Sequence, residues 1–257
     1  MNNNWRVWNK AKEYGNVFFA RAIGNLPEME SSKSAARAIS SIAKENYLIM
    51  DIGCGAGHYL VSLDNTLKIP FKYYGIDATP YYIEMAKKAL FERNTNPLRL
   101  HTNFEVGDIF HLTVRNNFAD ITMCNNLLLH LPSIEKPIRE LWRITRKFVV
   151  IRTLIGNISF RIKQIDSPEE YTEEGEPVYF QYFNIYFKAY IEGLIRKLSN
   201  VKEYTFIEDN SFNPDKIVNS KNCYQKVPHN LTTVVNGMQA NNYIIQPWKF
   251  VIIEKKE

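Results

Sequence analysis

One seven-residue segment, Asp51-Ile52-Gly53-Cys54-Gly55-Ala56-Gly57, restricts the fold of this chain more than any other. It closes the apolar run Tyr47 to Ile52 and leads into helix-like sequence. A short apolar run ending in an acid and glycines predicts a strand buried on both faces that turns directly into a helix. Glycines, lacking Cβ, let the backbone turn sharply and approach a bound molecule closely. The helix that follows offers free N–H groups and a partial positive charge to a carboxylate. The segment therefore predicts a cradle for a ligand, with Asp51 placed to hold an ammonium group.

The same alternation continues downstream. Tyr73 to Ile76 predicts a second strand, and Tyr81 to Glu92 has helical spacing. Phe104 to Val106 and Ala119 to Cys124 predict the third and fourth strands, and Ser133 is a candidate N-cap for a helix to about Thr145, ahead of the β-branched run Phe148 to Leu154. Strands separated by helices imply parallel pairing with right-handed crossovers, hence an α/β fold with a doubly wound sheet.

Outside this core the pattern loosens. Asn4 to Ala20 and Ser34 to Ala43 read as helices hinged at Gly24 to Glu30, a cap whose aromatics, Trp5, Trp8, Tyr14, Phe18 and Phe19, suit either a lid over a cleft or a cover for the sheet edge. Asn157 to Tyr182 reads as an irregular insertion, and Ile185 to Leu198 as an amphipathic helix. Val201 to Ile207 and Tyr243 to Ile253 read as two last strands, joined through turn-rich Asp209 to Asn242. We expect a single domain over 1–257, with a helical cap over 1–45, a ligand-binding core over 46–155, a substrate-side insertion over 156–184, and a C-terminal helix and strand pair over 185–257.

Composition narrows the class. Hydrophobic residues make up 45% and charged residues 23% of 257 residues, which argues against disorder and fibrous architecture. The start, Met1 to Lys12, is polar where a signal peptide would be apolar, and no stretch approaches membrane-spanning length, so a cytoplasmic protein without a membrane partner is expected. Cys54, Cys124 and Cys223 are few and far apart, which fits reduced thiols and gives no readable metal site. The net charge of +5 is scattered among acids, which disfavours a nucleic-acid partner. Asp166 to Glu176 runs the other way, with six acids and no basic residue, as a solvated loop or a wall that attracts a cation.

Two further acids join Asp51. Asp77 ends the second strand, twenty residues past Gly57, where it can accept from both ribose hydroxyls. Asp108 follows the third strand, placed to take an adenine amino proton while Ile109 packs on the ring. Taken singly, each acid can simply cap a helix or end a strand; as an ordered set they point to one nucleoside ligand. A dinucleotide would need a third glycine where His58 stands, and Asp51 would repel its diphosphate, so the D-x-G-x-G-x-G form suits a ligand with an amino acid tail instead.

These residues resemble the class I S-adenosylmethionine (SAM)-dependent methyltransferases, in the group acting on small molecules. The resemblance rests on Leu48 to Leu60 (LIMDIGCGAGHYL), Tyr73 to Ala89 (YYGIDATPYYIEMAKKA), Phe104 to Phe110 (FEVGDIF) and Phe118 to Pro132 (FADITMCNNLLLHLP). It implies a seven-stranded Rossmann-like sheet with the last strand antiparallel, an N-terminal helical cap, and insertions after strands 5 and 6. It also implies SAM as cofactor and S-adenosylhomocysteine (SAH) as product. Gly53, Cys54, Gly55 and Gly57 would then lie under the methionine portion, Asp77 and Ala78 at the ribose, and Asp108 with Ile109 at the adenine. Asn125 to His130 would lie beside the sulfonium and face the acceptor, with Asn125 counted among the cofactor-binding residues, and Tyr14 and Arg21 would reach the cofactor's carboxylate from the cap.

His130 is the candidate general base if the acceptor is a hydroxyl; otherwise it buttresses the cofactor loop. Tyr171, Tyr179, Phe180 and Tyr182 are available for cation–π contact with a sulfonium, or for ordinary packing. Cys54 and His58 read as buried structural groups. The region after the fourth strand, Cys124-Asn125-Asn126-Leu127, lacks the Asn/Asp-Pro-Pro-aromatic arrangement of enzymes that methylate DNA bases. A small-molecule methyltransferase acting as a monomer or homodimer leads, with a non-catalytic SAM-binding partner subunit and an NAD-linked oxidoreductase as alternatives.

Overall fold

The computed structural model describes residues 5–92, 101–165, 170–212, 232–235, 238–241 and 244–256. Among these, one mixed sheet carries the fold. Its first strand, β1 (Leu48–Ile52), is almost wholly buried and pairs in parallel with β2 (Lys72–Asp77) on one side and β4 (Ala119–Asn125) on the other. β3 (Thr102–Val106) extends the sheet beyond β2, and β5 (Thr145–Gly156) extends it beyond β4, both in parallel. β8 (Val201–Glu208) and β12 (Trp248–Lys255) complete the order β3-β2-β1-β4-β5-β12-β8, with β12 antiparallel to both neighbours. The expected seven-stranded sheet with its last strand reversed is therefore present.

Polar residues in the middle of the buried strands are mostly matched, because an unpaired polar group in the interior is costly. In β4, Asp120 accepts from the Leu48 amide and from Arg146, and the Thr122 hydroxyl is hydrogen-bonded with the Thr145 hydroxyl at 2.6 Å. The apolar remainder packs in two layers. On one face, α2 (Glu30–Ser40), α3 (His58–Leu67) and α4 (Pro80–Glu92) bury residues such as Ile39, Leu63 and Ile83 against Ile49, Tyr73 and Met123. On the other, α5 (Glu135–Ile144) and α6 (Lys188–Ile195) bury Ile138, Leu141 and Ile191 against Met50, Val149 and Val251.

Several expectations change. The cap begins as a 3-10 turn at Val7–Asn9, followed by α1 (Lys12–Ala22), instead of one helix from Asn4, which lies outside the described residues. Ser133 does not cap α5; Ile134 holds that position without a side-chain bond. The insertion is ordered as an antiparallel hairpin, β6 (Phe160–Gln164) with β7 (Gln181–Phe187), and β7 also adds in parallel to the end of β5. The helix expected from Ile185 therefore starts at Lys188, since Ile185 to Phe187 are held by strand pairing. The last strand is split around Gln246 and Pro247 into β11 (Ile244–Ile245) and β12. Tyr243 lies outside the described residues, as do Cys223, 166–169 of the acidic stretch, and 213–231 of the connection, whose described part forms β9 (Thr232–Val235) and β10 (Met238–Asn241) with β11.

Candidate active site

At the carboxyl end of β1 the backbone reverses tightly. The Gly53 and Cys54 amides both donate to the Ile76 carbonyl, at 2.7 and 3.1 Å, which pins the turn to β2. Gly55 has φ +54°, and a Cβ there would lie 3.2 Å from the Phe18 ring; at Gly57, with φ +78°, a Cβ would lie 2.8 Å from Phe104. Both positions need glycine for conformation as well as for space.

Asp77 clasps this turn: its Oδ2 accepts from the Gly55 amide at 2.9 Å and its Oδ1 from the Thr79 amide at 2.9 Å. Burial raises the Asp77 pKa, and these bonds lower it only in part. Asp51 lies deeper, 1% exposed, and accepts from the Tyr73 hydroxyl at 2.6 Å. Desolvation pushes its pKa up to about 7, against the opposing effect of that bond. Cys54 is buried beside these acids, and burial drives its thiol pKa well up, so it is no nucleophile.

The other expected site residues surround the turn at varied depth. Ala78 is exposed next to Asp77, and Ile109 is buried in the core at 5% exposure. Asp108 accepts from the Phe110 amide through Oδ1 and from Arg6 Nη2 through Oδ2, at 3.0 and 2.6 Å. Tyr14 packs edge-on against Trp8, with ring centroids 5.3 Å apart, and Arg21 donates to the Pro27 carbonyl. Phe18, not Tyr14, is the cap residue that lies over Gly55; it stacks on His58 at 4.5 Å. Burial, with a smaller effect from the Arg21 charge, lowers the His58 pKa to about 3.

Around this turn, several buried polar atoms have no partner among the described residues: Arg21 Nε, His58 Nδ1, and both amide atoms of Asn125 at the end of β4. An interior rarely leaves such atoms unmatched.

Beyond Asn125 the chain passes through Asn126, at φ +57°, into a short 3-10 turn at Leu128–His130. Strand β7 secures this turn. The Tyr186 hydroxyl donates to the Leu128 carbonyl at 2.7 Å, and Asn184 Nδ2 to the Leu131 carbonyl at 2.9 Å. His130 Nδ1 lies 2.9 Å from the Tyr182 carbonyl. A carbonyl only accepts, so Nδ1 carries the proton and Nε2 keeps its lone pair. Burial lowers the His130 pKa to about 4, offset in part by that bond. Trp8 closes on the ring edge-on at 5.0 Å.

The aromatic side chains of the insertion are already matched to the chain's own cations. Lys10 lies over Tyr179 at 4.1 Å, Lys163 over Phe180 at 4.6 Å and Arg161 over Tyr182 at 5.8 Å, while Tyr171 is 59% exposed. They line the hairpin instead of forming a cage for a sulfonium.

One constellation escaped sequence reasoning. Arg152, in β5, donates through Nε and Nη2 to Asp209 Oδ2, each at 2.6 Å, and through Nη1 to Asn126 Oδ1. Its guanidinium also lies 4.0 Å from the Trp248 ring. Asp209 further accepts from the Ser34 hydroxyl and the Ser211 amide, and Asn126 Nδ2 donates to the Tyr59 hydroxyl. The signal was available: a lone arginine inside the apolar run Phe148 to Leu154 must find a counter-charge.

A family model described as a methyltransferase domain matches residues 43–233. No curated protein matches the chain. Among solved structures, a SAM-dependent methyltransferase from Methanosarcina mazei is similar at 16% identity and a TM-score of 0.53, covering 85% of this chain and 96% of that one. A Thermotoga maritima SAM-dependent methyltransferase, described as a possible histamine N-methyltransferase, is similar at 15% identity and 0.52, covering 98% and 100%. The [4+2]-cyclase SpnF is similar at 12% identity and 0.55, covering 87% and 80%. At these identities the structures share the fold.

Proposed function

The chain belongs to the methyltransferase-domain family, and from that premise we propose that it transfers the methyl group of SAM to a small-molecule acceptor. One observation carries this reading: a glycine turn clasped by Asp77, flanked by Asp51 and Asp108 and by unpartnered atoms of Arg21, His58 and Asn125. The donor set fits the cofactor. Arg21 Nε–H suits a carboxylate, the Asn125 amide can meet an ammonium or carboxylate, and Asp77 and Asp108 suit ribose hydroxyls and an adenine amino group. A sulfonium cofactor supplies an already electrophilic methyl carbon, so the protein's work is orientation and exclusion of water. Leu127, which stands over Gly53, and Trp8, which closes on His130, provide apolar surface for both tasks.

His130 fits the role of a base for a hydroxyl acceptor, because its Nε2 is unprotonated over the physiological range. His130→Ala should then leave SAH affinity within about twofold while slowing transfer by roughly 100-fold or more. The wild-type rate should fall only as the pH approaches about 4, where burial has placed the His130 pKa. Equal rates for variant and wild type across pH would remove His130 from catalysis.

The reading is tested by calorimetric titration with SAM and SAH. Asp77→Ala removes the acceptor for the Gly55 and Thr79 amides and for the ribose, and should weaken SAH binding by about 1–3 kcal/mol. An unchanged titration would remove Asp77 from the site, and preference for NAD would overturn the cofactor. Incubating the protein with methyl-labelled SAM and metabolite pools should place label in a small molecule; binding without any transfer would favour a non-catalytic subunit.

A further inference from the structure

The first described residues run across every part of the candidate site. Arg6 bonds Asp108 at 2.6 Å, with the two side chains 23% and 33% exposed. Trp5 meets Phe110 edge-on at 6.2 Å and Tyr182 at 6.5 Å, and the Arg6 guanidinium lies 5.0 Å from the Trp5 ring. Trp8 closes on His130, the Ala11 carbonyl accepts from the Tyr82 hydroxyl at 2.9 Å, and Phe18 covers Gly55 and His58. One segment, residues 5–18, thus touches the acid after β3, the turn after β4 and the glycine turn after β1.

We propose that this segment is an internal strap whose Arg6 takes the place on Asp108 that the reading above gives to the adenine amino group, so that cofactor binding must first unseat it. Oδ1 of the Asp108 carboxylate already accepts from the Phe110 amide, so Oδ2, which Arg6 holds, is the less encumbered oxygen for an incoming donor. Capacity alone would let both share that oxygen, but Trp5 also stands against Phe110, the residue after Ile109, with the Arg6 guanidinium over the Trp5 ring, so a ring arriving at Ile109 meets both. The hold is weak by construction. Among the described residues Arg6 makes a single bond to Asp108 and its Nε is buried without a partner, so the guanidinium gives up hydration that the strap does not replace. A half-exposed ion pair of this kind is also screened by salt.

The consequence has a sign that a conventional contact residue would not give. Arg6→Ala should tighten SAH binding, by roughly two- to fivefold, the scale of a half-exposed ion pair. Arg6→Lys, which keeps a cation for Asp108, should stay near wild type, and Trp5→Ala should shift affinity in the same direction as Arg6→Ala. Raising sodium chloride should tighten wild-type binding and leave Arg6→Ala nearly unaffected. Thermal unfolding without ligand checks that each variant folds, and SAH calorimetry supplies the readout. A wild type that binds SAH beside an Arg6→Ala variant that binds equally or less tightly overturns the strap alone, the weaker result making Arg6 part of the binding surface. Absence of heat from both proteins overturns the cofactor reading and the strap with it, whereas heat from the variant only would be the strap at its strongest.

Discussion

Arg152→Ala is expected to lower stability by about 3–5 kcal/mol, measured by urea unfolding at neutral pH, because it leaves the Asp209 carboxylate buried without its counter-charge. The pair is deeply placed, with side chains 6% and 1% exposed. Burial pushes the Asp209 pKa up, but the Arg152 charge and the bonds from Ser211, Arg152 and Ser34 outweigh it, so the pKa ends below the ordinary value. A carboxyl with a depressed folded pKa contributes stability that is present above its unfolded pKa and is lost as pH falls through the folded value. Without Arg152 the shift reverses, so the variant's deficit should shrink as the pH is lowered toward 4. Replacing both residues, Arg152→Met with Asp209→Leu, should recover much of the loss; a single variant as stable as wild type would show that the pair contributes nothing.

The second large effect concerns binding. Gly55→Arg should reduce SAH affinity by at least about 100-fold, since the new side chain must stand at φ +54° and 3.2 Å from Phe18, in the space where the backbone would meet a ligand. Gly24 supplies the control. It has φ +86° with nothing within 4 Å of a Cβ, so Gly24→Ala carries similar strain and should cost stability without touching SAH affinity. Retained micromolar binding by Gly55→Arg would move the ligand elsewhere.

The parallel core was legible because its evidence is local. The apolar runs that became β1 and β4 are buried on both faces, which leaves no alternation to confuse them, and β1 ends directly in glycines that turn the chain. The hairpin of the insertion was not legible, because β6 is held by pairing with β7 some twenty residues later, and Ile185 to Phe187 satisfy helical spacing equally well. Within the site, the acids and glycines announced themselves by order and spacing. The Arg6–Asp108 bond spans 102 residues, and no periodicity reports such a contact. Tyr14 and Arg21 came from analogy with other caps; both share a face of α1 with Phe18, at i−4 and i+3, and Phe18 is the one whose turn of the helix stands over Gly55.

The hairpin's hold on the turn at Leu128–His130 separates two kinds of change. The glycine turn follows β1 and Asp77 ends β2, both inside the sheet, where almost any alteration disturbs the interior. The histidine-bearing turn instead takes its alignment from a peripheral ribbon, through one imidazole, one amide and one phenol. Grafting a different ribbon at that rim would therefore re-aim the turn that carries His130 while the glycine turn stayed intact.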